Sequence, residues 1–417
     1  MPDVSREISM GKASKQGFSK ERLARIDRFL ADKYITPGRM PCAQFVLARE
    51  GEVVHQTVLG HRDVERGVAL TEDTVYRIYS MTKPVTSVAL MTFVEEGAIA
   101  LDDPVERYIP AWKDLGVFAA GVEPAFLTTR PARPMQVVDL LRHTSGLTYG
   151  FQNRTNVDAA YRKLVLEDMH GEHDLAGMID RMSRLPLEFS PGEAWNYSVS
   201  TDVCGHLVEV LAGKPLDQVF QERIFGPLGM TETGFHVRDD QRSRFAACYN
   251  AAPGGKMKLQ DDPQTSKYLA PPALLSGGGG LVGSAADYLR FANMLLNGGE
   301  LDGARILAPK TIELMASNHL PGGTDLTQMS RSLFSESTNA GVGFGLGFAV
   351  VFDPPQTLIP CSLGEFYWGG AASTAFWVDP VEQVTAVFMT QLLPSSTYPV
   401  RRELRTLVYS ALMETNG

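Results

Sequence analysis

The sequence predicts an α+β fold, in which one antiparallel sheet is assembled from both ends of the chain and a mostly helical region is inserted between them. Three observations predict it. Runs rich in β-branched and aromatic residues occur in residues 43–60 and again beyond residue 340. Helical spacings and Pro/Gly-containing loops fill residues 100 to about 275, where strand-like runs are scarce. Between them, Val85 to Val94 is apolar on nearly every face, which marks a buried central helix.

The elements follow in order. Ser19 is an N-cap, and Leu23, Ile26 and Leu30 recur at helical spacing, so residues 19–35 read as a surface helix ended by Pro37, Gly38 and Pro41. "AQFVLARE" and "GEVVHQTVLG" turn around Glu50-Gly51 as a hairpin. The buried helix starts close to Ser80, because Pro84 is tolerated only in a first turn, and Gly97 supplies its C-terminal cap. "VVDLLRHTSG" and "STDVCGHLVEVLAGK" are helical. "LLSGGGGLVGSAADYLRFANMLLNGG" is a glycine-rich crossing followed by a helix, with Ser284 and Asp287 in capping-box spacing. Gly277 to Gly280 lacks the G-K-[ST] ending of a phosphate loop, so close backbone packing is its expected role. "GFGLGFAVVF", "FYWGGAASTAFWVD" and "QVTAVFMTQLL" are strands, the last two joined at Asp379-Pro380. A closing helix carries Val400, Leu404, Leu407 and Val408 on one face.

A length of 417 residues accommodates two or three domains, or one large domain with an insertion. The expected division is a discontinuous α/β sheet domain (1–97 and 275–417) and a mostly helical domain (98–274), with the active site in the cleft between them. A hydrophobic fraction of 44% with 21% charged residues is that of an ordinary globular chain. The net charge of −9, with no Lys/Arg cluster, argues against nucleic-acid binding. No apolar run reaches the length of a membrane span, and the first thirty residues hold no signal-peptide core. Cys42, Cys204, Cys248 and Cys361 are far apart and form no C-x-x-C, which reads as a reduced, cytoplasmic protein. His170-Gly171-Glu172-His173 lacks the H-E-x-x-H pattern, so neither a metal nor a cofactor is expected.

One spacing carries chemistry. Ser80 and Lys83 form S-x-x-K at the head of the buried helix, where residues three apart share a face. A serine hydroxyl is a poor nucleophile until a neighbouring base takes its proton, and burial favours the neutral form a lysine base needs. The N-terminus of a helix also offers unpaired N–H groups and a dipole that favours negative charge. A second copy, Ser9 to Lys12, has Gly11 inside it and no helical pattern after it, so it is set aside. No G-x-S-x-G elbow occurs, which weighs against a Ser-His-Asp hydrolase.

Ser80-Met81-Thr82-Lys83 heading a buried helix resembles the serine β-lactamase and penicillin-binding-protein superfamily. "LLRHTSGL", "PGEAWNYSVS" and "LLSGGGGLVGSAADYLRF" resemble, in order, segments of its class C β-lactamase branch, so the likeness runs from about residue 20 to the C-terminus. The branch's catalytic tyrosine falls on Tyr197. Two positions depart from it. Val199 stands where class C enzymes carry asparagine, and Trp368-Gly369-Gly370 stands where they carry lysine-threonine-glycine. Those groups help hold a β-lactam, and losing a charge-assisted contact costs roughly 1.5–3 kcal/mol, about ten- to a hundredfold in binding. W-G-G in that slot resembles the family VIII carboxylesterases.

The resemblance implies roles. Ser80 attacks an ester carbonyl and is acylated, and Lys83 and Tyr197 share the proton transfers, the sequence leaving open which acts at each step. The backbone N–H groups of Ser80 and Ala371 hold the oxyanion. Gly369 and Gly370 let their strand approach the substrate, Trp368 forms an apolar wall, and Tyr149, Gln152 and Val199 are placed at the substrate. The expected partner is a small ester with a short acyl group; monomer and dimer both stay open. Two alternatives are carried: a β-lactam or D-amino-acid amide hydrolase with side esterase activity, and a non-catalytic penicillin-recognising binding module.

Overall fold

The computed structural model describes residues 13, 15–331 and 340–416; the Ser9–Lys12 spacing lies outside them. Its centre is an eight-stranded sheet: β1 (Cys42–Arg49), β2 (Glu52–Asp63), β3 (Val68–Ala69), β4 (Val342–Phe344), β5 (Ala349–Val351), β6 (Phe366–Gly369), β7 (Ala375–Asp379) and β8 (Val384–Met389). The spatial order is β4-β5-β6-β7-β8-β1-β2-β3, and every pairing is antiparallel. The two ends of the chain therefore meet at the β8–β1 ladder, where Phe45 lies opposite Phe388.

β1 is buried along its whole length because both faces of the sheet are covered. Successive side chains of a strand point to opposite faces. Phe45 and Leu47 join Phe388 and Trp377 in a layer closed by Leu23, Ile26 and Leu30 of the Lys20–Leu30 helix and Leu404 and Val408 of the Val400–Ala411 helix. Val46 and Ala48 enter the larger core on the other side, with Phe376, Val387, the Thr82–Glu95 helix and the Ala285–Leu296 helix. Fully burying a side chain of the Phe or Leu class contributes about 1.5–3 kcal/mol, so this two-sided layering is where the fold is held.

Most elements stand where the sequence puts them. Ser19 caps its helix, accepting from the Arg22 N–H at 3.3 Å. The β1–β2 hairpin turns through Glu50 (φ 53°) and Gly51 (φ 77°), the paired positive φ values that a two-residue type I′ turn demands. The central helix spans Thr82–Glu95, entered by a single 3-10 turn at Tyr79–Met81, with Gly97 (φ 71°) just past its end.

The strand count is corrected. Three C-terminal runs become six strands, five of them in the central sheet, because "FYWGGAASTAFWVD" folds back at residues 370–374, "GFGLGFAVVF" at 345–348, and "QVTAVFMTQLL" ends in the separate strand Leu392–Leu393. The middle region also holds two hairpins beyond the helices expected there. Val117–Val122 pairs with Ala125–Thr129 as a mostly exposed ribbon that rests Val117, Phe118 and Phe126 against the core. Cys248–Ala252 pairs with Lys256–Asp261 and, in parallel, with Leu392–Leu393. The alternation Lys256-Met257-Lys258-Leu259 is a period-2 signal, and it packs Met257 and Leu259 against the layer of the terminal helices.

Candidate active site

Ser80 lies at the mouth of the central helix, and the backbone bends sharply to put it there. Tyr79 has a φ of 45°, a left-handed conformation that costs a non-glycine residue about 1–3 kcal/mol. The Tyr79 ring is held beside Cys248, hydroxyl to Sγ at 4.0 Å. Lys83 lies one turn on and is 1% exposed. Its Nζ donates to Gly278 O at 2.6 Å and to the Tyr149 hydroxyl at 2.9 Å, and lies 3.3 Å from Ser80 Oγ. Nζ also stands 4.5 Å from the centre of the Tyr197 ring. Three oxygen partners for one amine bring Ser80 and Lys83 together as the spacing predicts, and add Tyr149 and Gly278, which it does not.

The glycine run supplies the third partner. Gly278 can present its carbonyl to Lys83 because it has no side chain: a Cβ there would strike the Asp202 carboxylate and lie 2.8 Å from the Tyr149 hydroxyl. Asp202, on the Ser200–Ala212 helix, is buried, accepts from the Gly278 N–H at 3.0 Å and from the Ser276 hydroxyl, and so fixes the loop. Burial pushes the Asp202 carboxyl up despite the opposing Lys83 charge. Burial also raises Glu167, to about 7, against the Gly150 N–H that donates to it. Tyr149 is driven well above the usual phenol range, first by burial and then by the Asp202 charge. His143 is pushed well below the usual imidazole range by burial and by Lys83, and its ring sits 5.0 Å from that of Tyr197.

Ser80 opens into a cavity of about 330 Å³. Tyr149, Phe151, Trp195, Tyr197, Trp368 and Phe376 make its walls largely aromatic, and Met169, Met178 and Leu274 extend the apolar surface. Trp368 stands 5.5 Å from the Tyr197 ring and edge-on to Phe344 at 5.3 Å. β5 pairs with β6 only as far as Tyr367, so Trp368 and Gly369 present an unpaired strand edge on that side. Gly369, Gly370 and Ala371 follow it along the cavity. Gly370 comes so near the carbonyl of Ile78 that an added Cβ would strike it, which seats the turn next to the Ser80 loop.

Two sequence expectations are corrected. Val199 is fully buried at the N-cap of the Ser200–Ala212 helix and does not line the cavity. Gln152 does not line it either; its amide donates to the Tyr197 carbonyl and its oxygen accepts from Arg154, so it fixes backbone. Sequence reasoning missed Asp202, Glu167 and Arg401. Asp202 sits five residues after Tyr197 in "YSVSTD", the one local signal that could have raised it.

With this geometry in place, comparison with known proteins decides the family: the Beta-lactamase family profile matches residues 26–410. The chain belongs to the beta-lactamase family. It is 37% identical over 339 residues to protein Rv1367c of Mycobacterium tuberculosis, covering 81% of this chain and 82% of that one. It is 29% identical over 405 residues to esterase EstB of Burkholderia gladioli, covering 93% and 95%. Among solved structures it resembles EstCE1, described as a hydrolase with promiscuous acyltransferase activity, with a TM-score of 0.76 and 26% identity over 93% of this chain and 98% of that one. The β-lactamase-like fold and the resemblance to the family VIII carboxylesterases stand on these matches. No helix among the described residues is long and apolar enough to cross a membrane.

Proposed function

We propose that the protein is a serine carboxylesterase that hydrolyses short-acyl esters through an acyl-enzyme on Ser80. The observation that carries this reading is the Lys83 amine, buried and 3.3 Å from the Oγ of Ser80, which itself opens into a largely apolar cavity walled by Tyr197. Esterase EstB and EstCE1, alike in fold or sequence over nearly the whole chain, support it.

Ser80 Oγ attacks the ester carbonyl while its proton passes to Lys83 and Tyr197. The carbonyl oxygen becomes an oxyanion received by the N–H groups of Ser80 and Ala371; backbone donors aimed at developing charge commonly stabilise an acyl-transfer transition state more than any other group does. The same pair returns the proton to the leaving alcohol. Tyr197 then activates the water that releases the acid. Gly278 O can only accept, so it always takes one Lys83 hydrogen; the Ser80 and Tyr149 hydroxyls can each donate or accept, which leaves the amine room to exchange a proton with either. Trp368, with Val199 turned away into the core, leaves the cavity without the asparagine and lysine that read a β-lactam, so cephalosporin cleavage is weak. The widely spaced free thiols suit a reducing cytoplasm.

A second reading is favoured by one observation. The walls are apolar and the relative EstCE1 carries acyltransferase activity, so an alcohol entering the cavity competes with water for the acyl group. The test is a paired assay of the parent and Ser80→Ala on p-nitrophenyl butyrate and a chromogenic cephalosporin, with and without an added alcohol. Fast ester turnover lost in the variant, with slow cephalosporin cleavage, supports the proposal; rapid cephalosporin cleavage would replace it with a β-lactamase. Ester formation with the alcohol supports the second reading, and free acid alone rejects it.

A further inference from the structure

We propose that Arg401 is a positioning residue for the oxyanion hole, acting through the single peptide group that carries the Ala371 donor. The inference rests on the reading of Ser80 as nucleophile and of the Ser80 and Ala371 N–H groups as oxyanion donors. Arg401 lies in the first turn of the Val400–Ala411 helix and lines the cavity beside Gly369, Gly370 and Ala371. Its Nη2 donates to Gly370 O at 2.8 Å and to Thr374 O at 2.9 Å. Those two carbonyls close the β6–β7 turn: Thr374 O also accepts from the Gly370 N–H at 3.0 Å, and Gly370 O from the Ser373 N–H at 3.1 Å. Ser373 completes the turn at a φ of 68°, with its hydroxyl on Leu392 O at 2.7 Å.

The Gly370 carbonyl and the Ala371 N–H are the two ends of one planar, conjugated peptide group. A guanidinium on that oxygen draws electron density from the nitrogen, which makes the N–H a stronger donor, as hydrogen bonds in series do. Because the group is planar, holding the oxygen also fixes the direction in which the N–H points. Ala371 is exposed, and its N–H meets no acceptor among the described residues, so it is available to a substrate oxygen. The positive charge of Arg401 thus reaches the oxyanion without touching it. The two glycines of W-G-G divide the work. A Cβ on Gly369 would fall 2.5 Å from Arg401 Cζ, so the first glycine admits the guanidinium, and the second admits the Ile78 carbonyl beside the nucleophile.

Arg401→Gln and Arg401→Lys test this, with p-nitrophenyl butyrate as substrate and an alkylboronic acid as a tetrahedral analogue that places an oxygen in the hole. Arg401→Gln is expected to lower kcat at least tenfold, short of the roughly 10²–10³-fold that loss of an oxyanion donor itself costs. KM should stay within about twofold, and boronate affinity should fall by the same factor as kcat/KM. Arg401→Lys, which keeps the charge, should recover part of the loss, and its kcat should not track its melting temperature. Unchanged kcat, a rise in KM alone, or boronate binding unaffected while kcat falls would each overturn the proposal. Ser80→Ala in the same series separates the two claims. If it stays active, the esterase mechanism itself fails; if it is inactive while Arg401→Gln is unimpaired, only the role of Arg401 fails.

Discussion

Glu167→Gln isolates the cost of keeping a carboxyl in the wall of an apolar cavity. Glu167 is largely buried and its carboxyl is pushed up to about 7 from an ordinary 4.5, first by burial. Below pH 4.5 the group is protonated in both folded and unfolded chains and costs nothing. Between 4.5 and 7 the unfolded chain ionises while the folded protein resists, so stability falls as pH rises, and the loss is complete above 7. That difference corresponds to about 3 kcal/mol of destabilisation by the ionised form. Glutamine keeps an oxygen for the Gly150 N–H but never ionises. For a chain of this length about 3 kcal/mol corresponds to roughly 3 °C in melting temperature. Thermal melts of parent and variant at about pH 5 and about pH 8.5 read it directly. The variant should melt close to the parent at the lower pH and above it, by about that margin, at the higher; equal offsets at the two pH values would refute the burial argument. Glu365, also raised to about 7, is common to both proteins and cancels in the difference.

Three further outcomes follow from the site. Tyr197→Phe should lower kcat for p-nitrophenyl butyrate by about 10²-fold or more, the range of a lost general acid–base group, and turnover equal to the parent's would remove Tyr197 from proton transfer. Gly278→Ala should lower kcat about ten- to a hundredfold by displacing the carbonyl that accepts from Lys83, because a buried donor left without its acceptor costs about 1–3 kcal/mol. Steady-state kinetics measure the loss while circular dichroism checks that the fold survives; kcat equal to the parent's would free that carbonyl of any role. Asp202→Ala leaves the Ser276 hydroxyl and the Gly278 N–H without their buried acceptor, at about 1–3 kcal/mol each, whereas Asp202→Asn keeps an oxygen for both. Urea denaturation should therefore rank parent and Asn variant together and the Ala variant well below; an Ala variant as stable as the parent would contradict the contact.

The sheet and the nucleophile loop were legible because their signals are local. Ser80 and Lys83 share one helix turn, and Glu50-Gly51 sits between two β-rich runs with only two residues to turn in. What stayed hidden depends on contacts between distant segments. Asp202 and Gly278 lie 76 positions apart, and no spacing joins them until the fold does. Arg401 reaches Gly370 only once the last helix has docked on the sheet. The resemblance puts both Tyr197 and Val199 at the substrate, yet Val199 is the N-cap residue of the Ser200–Ala212 helix and its apolar side chain is buried in the core. The resemblance also puts Gln152 at the substrate, yet its amide donates to the Tyr197 carbonyl. The strained φ of Tyr79 has no sequence signal at all, since tyrosine rarely adopts it.

The central claim is that an acyl group passes through Ser80, and the most direct measurement traps it there. Parent and Ser80→Ala would be mixed with p-nitrophenyl butyrate, quenched in acid within the first turnovers, and weighed by intact-protein mass spectrometry with peptide mapping. A butyryl adduct on the peptide holding Ser80, absent from the variant, is the predicted result. An adduct on another residue, or release of p-nitrophenol by Ser80→Ala at the parent's rate, would contradict it.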